Sequence, residues 1–291
     1  MQGVNDPQLP FRSASFSRIR KQIMNTVPVL SMIFMGFSCL VSIAVPVILF
    51  IYYWKKGADR LPFFIGCLIF VFFALVLEAL VHQAVLLRSS VGQTIQNNIW
   101  LYALYGGAMA ALFEECGRAF AFRFLLRKHS GNDRNALMYG AGHGGIEAVI
   151  VLGGAMINNL IYSSMINQGT INDMLVTLDP AQQQQLLPTI SALIASPSYI
   201  FLLGIVERIL AIALHISLSV FVFYAVREKR LPLFFLALLF HFVMDAGAVL
   251  LSSVLPALLV EVFIALCVAS AVLIARKIYN EYSAGHAAAG E

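Results

Sequence analysis

Acids, histidines and arginines interrupt an otherwise apolar chain at a few places. One stretch carries Glu114, Glu115 and Arg118, and the next carries His143 and Glu147. Later stretches carry Glu207, Arg208 and His215, then His241 and Asp245. Glu78 and His82 lie upstream and Glu261 downstream. The spacings His143-x-x-x-Glu147 and His241-x-x-x-Asp245 each put an imidazole and a carboxylate one helical turn apart on one face. Such a pair can ligate a metal, or the acid can orient the imidazole through a hydrogen bond. His143, Glu147, His241 and Asp245 are therefore candidate metal ligands, with His215 as a further donor. Glu114 and Arg118 share the same spacing, so the guanidinium can neutralise one carboxylate. Adjacent glutamates differ by about 100° around a helix. One can thus be paired while the other stays free to take a proton as a general base.

The elements that position these groups follow from composition. The chain has 291 residues, of which 60% are hydrophobic and only 12% charged. A soluble domain carries about twice that share of charge. The apolar residues fall in long runs, and a crossing helix needs roughly 20 of them. This predicts an all-α, polytopic transmembrane helical bundle of about seven spans: 28–54, 61–87, 95–126, 135–162, 198–226, 231–252 and 256–275. The bundle as a whole is expected over 28–276, with the motif-bearing core at about 95–250. A polar, basic segment (1–27) precedes it and a tail (277–291) follows. The first apolar run is too long for a cleavable signal sequence, and the segment before it is expected to form a short interfacial helix. Cys39, Cys67, Cys116 and Cys267 sit in apolar runs, which argues against a disulfide framework.

The net charge of +4 is concentrated between the runs. It reads as a topology signal and not as a nucleic-acid footprint. Lys55, Lys56 and Arg60, then Arg127, Lys128 and Arg134, then Arg227, Lys229 and Arg230 lie on one side in a seven-span arrangement, as do Arg276 and Lys277. That side, with the C-terminus, is expected to be cytoplasmic in a bacterial-type plasma membrane. Arg12, Arg18, Arg20 and Lys21 dissent, because seven spans place them outside. Residues 164–197 are expected to be the one long loop, holding a short helix that starts at Asp179-Pro180.

An ionised group at the centre of a membrane helix costs about 2.5–3.5 kcal/mol on the insertion scale. Six or more facing lipid would be prohibitive, so these residues must face one another, water or a metal. Counting 1.5 Å per residue from the cytoplasmic ends puts Glu114, Glu115, His143, Glu147, His215, His241 and Asp245 in a slab roughly 10 Å thick. On the same ruler Glu78 and Glu207 fall deeper, and His82 and Glu261 lie nearer the outer interface.

Glu114-Glu115-x-Gly-Arg118, Gly-His143-Gly-Gly-x-Glu147 and His241-x-x-x-Asp245, in that order on successive apolar stretches, resemble the YhfC-type membrane peptidases. Those are related to the CaaX-processing and bacteriocin-processing intramembrane proteases and to the PrsW-type proteases. The resemblance implies that Glu114 or Glu115 activates water, that His143 assists, and that His241 stabilises the oxyanion. Arg118 stands one residue closer to the glutamates than in the CaaX pattern. Asp245 replaces an asparagine, which recasts it as a metal ligand or an orienter of His241.

The expected function is hydrolysis of a peptide bond in a membrane-associated peptide or protein substrate. Two versions stand at this level, one with zinc held by two or three of the candidate ligands and one free of metal. The supporting residues are Arg118, Glu147, His215 and Asp245. Two other classes fit the same residues, a proton-coupled transporter and a non-catalytic binding partner of peptidase-like fold.

Overall fold

The computed structural model describes residues 26–289, and every regular element among them is a helix. Helix α1 spans Val29–Lys55, α2 Leu61–Leu87, the short α3 Gly92–Gln96, and α4 Ile99–Phe120. Helix α5 spans Arg134–Gln168, α6 Ile171–Leu175, α7 Pro180–Ala195, α8 Ile200–Arg227, α9 Leu231–Ser252 and α10 Ala257–Ala289. The basic segment expected at the N-terminus falls almost wholly outside the described residues.

Six of these helices, α1, α2, α5, α8, α9 and α10, are long and apolar enough to cross a membrane. The further span expected over 95–126 corresponds to α4, which has 22 residues but carries both glutamates and Arg118. Its charged side chains are buried, while Leu101, Leu104, Leu112 and Phe120 are exposed. The helix thus has an apolar outside and a charged inside, which an average over its length conceals. It starts later than expected because Asn98 caps it, accepting hydrogen bonds from the amides of Trp100 (2.9 Å) and Leu101 (3.2 Å).

The stretch expected as a long loop is mostly helical. Helix α5 runs on to Gln168 and stops at Gly169, whose φ of 76° ends the helix in the left-handed region. Helix α7 begins at the expected Asp179-Pro180 signal with a reciprocal capping box. Gln182 N donates to Asp179 Oδ1 at 2.9 Å and Asp179 N donates to Gln182 Oε1 at 3.2 Å. Likewise, α10 passes the expected end near Ala275 because the residues that follow, Arg276, Lys277 and Glu281 among them, are good helix formers.

The chain divides into two compact units. The first combines residues up to Leu40 with Gly153–Gly204. It is held by neutral polar contacts: Ser31 Oγ meets Ser198 Oγ at 2.9 Å, and Ser38 Oγ donates to the carbonyl of Phe201 at 2.6 Å. Asn167 accepts from the Val27 amide at 2.7 Å and donates to the Val27 carbonyl at 3.0 Å.

The second unit combines Val41–Leu152 with Ile205–Glu291. Residues 211–225 of α8 are buried almost without interruption, so this unit is built around that helix. Helices α2 and α5 pack backbone to backbone. A Cβ at Gly142 would lie 2.0 Å from the Phe63 carbonyl oxygen, and one at Gly66 would lie 2.4 Å from that of Tyr139. On the other side of α5, a Cβ at Gly140 would lie 2.5 Å from Ile216 Cα of α8. Small residues here are a steric requirement for close approach. They bring His143, between Gly142 and Gly144, into the middle of three helices.

Candidate functional site

The second unit gathers the polar residues of α4, α5, α8 and α9 around Arg118. That side chain is fully buried. Its Nη1 donates to the His215 carbonyl (2.8 Å) and to Ser219 Oγ (3.1 Å), and its Nη2 donates to His215 Nδ1 (3.1 Å). Its Nε lies 3.3 Å from Glu115 Oε2, whereas Nη2 lies 4.0 Å from Glu114 Oε2. The closer partner is therefore the glutamate three residues back, not the one four back that the spacing favours. A guanidinium only donates, so His215 Nδ1 must be an acceptor and its Nε2 carries the proton. That Nε2 pairs with Glu147.

The two glutamates are separated in role by their surroundings. Glu115 is wholly buried between Arg118 and His241, whose Nδ1 lies 2.8 Å from Glu115 Oε1. Glu114 retains slight exposure and lines a cavity of about 340 Å³. Its Oε2 is 2.8 Å from His143 Nε2 and 3.8 Å from His215 Nδ1. Its Oε1 turns toward His241 Nε2 at 3.9 Å. His241 Nε2 also faces Asp245 Oδ2 at 3.4 Å, so this imidazole has an acid at each nitrogen. Glu147 and Asp245 line the same cavity.

All eight of Glu114, Glu115, Arg118, His143, Glu147, His215, His241 and Asp245 thus meet in one place. The ligand atoms of Glu114, His143 and His215 all lie within 4.8 Å of one another. Two imidazoles and a carboxylate are a donor set that suits zinc. His143 is fully buried, its Nε2 faces Glu114, and its Nδ1 has no hydrogen-bond partner among the described residues. Of the four ligands proposed from spacing, only His143 belongs to this group. Glu147 is engaged by His215 and by Arg208 Nη1 (2.6 Å), and His241 is engaged by Glu115. The spacing rule compares residues on one helix, but the ligand atoms that converge come from three.

Glu207 pairs with Arg208, which thereby bridges two acids at the cavity wall. Glu78 and His82 form a separate pair at 3.0 Å, with His82 Nδ1 3.0 Å from the Tyr105 hydroxyl. Sequence reasoning passed over Ser219, whose Oγ donates back to the His215 carbonyl at 2.6 Å and receives Arg118. Its position one turn after His215 was the available signal. It also passed over Phe70 and Tyr139, whose rings flank His143 at 5.3 and 5.9 Å and carry no chemical signature in the sequence.

The family described as YhfC intramembrane metalloprotease matches residues 41–265. Among curated proteins, the chain is similar to "Uncharacterized membrane protein YhfC" of Bacillus subtilis (strain 168). The two are 39% identical over 247 residues, which is 83% of this chain and 94% of the relative. No solved structure gives a significant match.

Proposed function

The chain belongs to the YhfC intramembrane metalloprotease family, and from that premise we propose that it hydrolyses a peptide bond in a membrane-associated substrate, with Glu114 handling the proton. The observation that carries this reading is Glu114 itself. It is the glutamate of the pair that reaches a cavity, and His143 fixes it at 2.8 Å.

A metal at this site would be held by Glu114, His143 and His215, with His215 giving up its contact to Arg118 or to Glu147 to offer a nitrogen, and would supply Lewis-acid polarisation and an activated water. The chain's own residues divide the remaining work. Glu114 Oε2 points to the two imidazoles, leaving Oε1 to accept the proton of the attacking water and pass it to the leaving amine. Arg118 cancels the charge of Glu115. Glu115 then orients His241, whose Nε2 faces the cavity beside Asp245 and is placed to donate to the developing oxyanion. The basic loops put the C-terminus and the α8–α9 turn in the cytoplasm.

The test has two readouts. Detergent-purified wild type and the variants His143→Ala, His215→Ala and Asp245→Asn are assayed for bound divalent metal by elemental mass spectrometry. Cleavage of single-span membrane peptides in proteoliposomes is followed by product mass. The expected result is about one ion per chain in wild type, lost in both histidine variants and kept in Asp245→Asn, with cleavage abolished by Glu114→Gln. Cleavage that survives Glu114→Gln would overturn the mechanism. Ion or solute flux with no cleavage by wild type would favour transport.

A further inference from the structure

A second cavity of the same unit shares no lining residue with the cavity of Glu114 and His241. It measures about 510 Å³ and is lined by Arg123, Arg127, Arg227 and Lys229, with Phe124 and Phe223 beside them. No carboxylate lines it. Arg227 is tied into the fold through Asp133 Oδ1 at 2.6 Å and Glu228 at 3.4 Å. Arg123, Arg127 and Lys229 line the cavity beside it. Like charges gathered round a concavity repel one another, and Asp133 and Glu228 offset that through Arg227.

Helix dipoles explain part of the pattern, since Arg227 closes α8 and Arg123 lies just past α4. They do not explain a cavity of this size, nor the aromatic lining. Arg123 lies 5.8 Å from the Phe124 ring and Arg227 lies 5.7 Å from the Phe223 ring. Phe124 is 61% exposed in a chain whose exterior is lipid-facing. The cavity therefore presents cations at the ends of apolar helices with an apolar side toward acyl chains. Two of the three basic loops that the charge rule assigns to the cytoplasm supply those cations.

We infer that this cavity binds the phosphate headgroup of an anionic phospholipid of the cytoplasmic leaflet. The phosphate would sit among Arg123, Arg127 and Lys229, while Arg227 holds its place on Asp133. Basic concavities between membrane helices recognise such headgroups, and the negative leaflet supplies them at high local concentration. A peptidase with its reacting groups inside the bundle gains a fixed depth and tilt from a lipid bound at one end.

The experiment is native mass spectrometry of the full chain in micelles doped with phosphatidylglycerol or phosphatidylcholine. It compares wild type, Arg123→Gln/Arg127→Gln/Lys229→Gln, the charge-conserving Arg123→Lys/Arg127→Lys, and Lys55→Gln/Lys56→Gln from the first basic loop. Each removed cation is expected to cost about fivefold. The triple variant should therefore lose phosphatidylglycerol binding by about a hundredfold, while the charge-conserving variant stays within about threefold and the Lys55/Lys56 variant within about twofold. Each variant's thermal unfolding is measured alongside, and the charge-conserving variant keeps the test meaningful if the triple variant does not fold. Equal losses in the triple and the Lys55/Lys56 variants would overturn the site in favour of diffuse surface charge. So would equal retention of both lipids, or displacement by inorganic phosphate at the concentration where the lipid binds.

Discussion

The two units of this protein solve the same problem in different ways. Both must bury polar side chains within apolar helices. In the described part of the first unit the buried polar side chains are Ser31, Ser38 and Ser163, and its only charged residues are Asp173 and Asp179, both on the connecting helices. In the second unit the buried set includes Glu78, Glu114, Glu115, Arg118, His143, His215 and His241. Ser31 and Ser38 satisfy themselves with one short hydrogen bond to a hydroxyl or carbonyl, and the loss of one such bond is worth about 1 kcal/mol. Charges have no such cheap solution. Each must be matched by an opposite charge or by several donors, and here the matches come both from the same helix, as for Arg118 with Glu115, and from others, as for Glu114 with His143. A neutral interior can therefore be assembled contact by contact, whereas a charged one is held together as a single network.

This contrast can be broken at its strongest point first. Glu114→Gln keeps the shape of the side chain but removes its basicity, and peptide cleavage should fall by about 10²–10⁴-fold. Yield and thermal unfolding in detergent should stay close to wild type. Retained cleavage, or a variant that does not fold, would mean that Glu114 is structural.

The next effect is on stability. Arg118→Met strands Glu115 beside His241 without its cation and should cost about 3–5 kcal/mol, whereas Arg118→Met combined with Glu115→Leu should recover much of that. Reversible unfolding in mixed micelles measures both. Equal destabilisation by the single and the double change would show that the network is not the unit of stability here.

In the first unit, Ser38→Ala should cost only about 1 kcal/mol in the same assay. A loss as large as that of Arg118→Met would erase the distinction between the two interiors.

The smallest effect lies outside the spans, between α1 and α2. Asp59 Oδ2 meets His129 Nδ1 at 2.7 Å and receives Asn135 Nδ2 at 2.9 Å, and these hydrogen bonds hold the carboxyl below its usual range. A carboxyl with a lowered folded-state pKa stabilises the fold above its unfolded pKa, and that contribution disappears as pH falls through the folded value. Asp59→Asn should therefore cost well under 1 kcal/mol at neutral pH, because the pair is partly exposed. The gap to wild type should close on acidification into the carboxylate range. A gap that widens on acidification would reverse the assignment.

How much of this was legible beforehand differs by residue. The length of the apolar runs announced α1, α2, α8 and α9 nearly to their ends, and the start of α5, because a helix in lipid must satisfy its own backbone. Helix α4 was placed as a span from its apolar face, although its charges lower its average below that of the others. The end of α5, the run of α7 and the extension of α10 were underestimated, since Asn, Gln and Ser read as loop residues while local helix propensity carried them on. Among the chemical groups, residue types and the cost of burying charge picked out the acids, histidines and arginine that the structure brings together, but not Ser219. Partnership was another matter. Spacing favoured Glu114 as the partner of Arg118, and the structure gives the shorter contact to Glu115. Spacing also favoured His143 with Glu147, and the structure gives Glu147 to His215 and Arg208.

The sequence by itself determined that this chain is a helical membrane protein and that its charged groups must face inward, because lipid offers no other way to accommodate them. Its motifs also carried the resemblance to a peptidase family. The tertiary structure alone decided which acid meets which base, which glutamate reaches a cavity, and which three ligand atoms converge. Those facts depend on the rotation of α4, α5, α8 and α9 about their axes and on the close approach that Gly66, Gly140 and Gly142 permit. A periodicity fixes the face of one helix, but only packing fixes what that face meets.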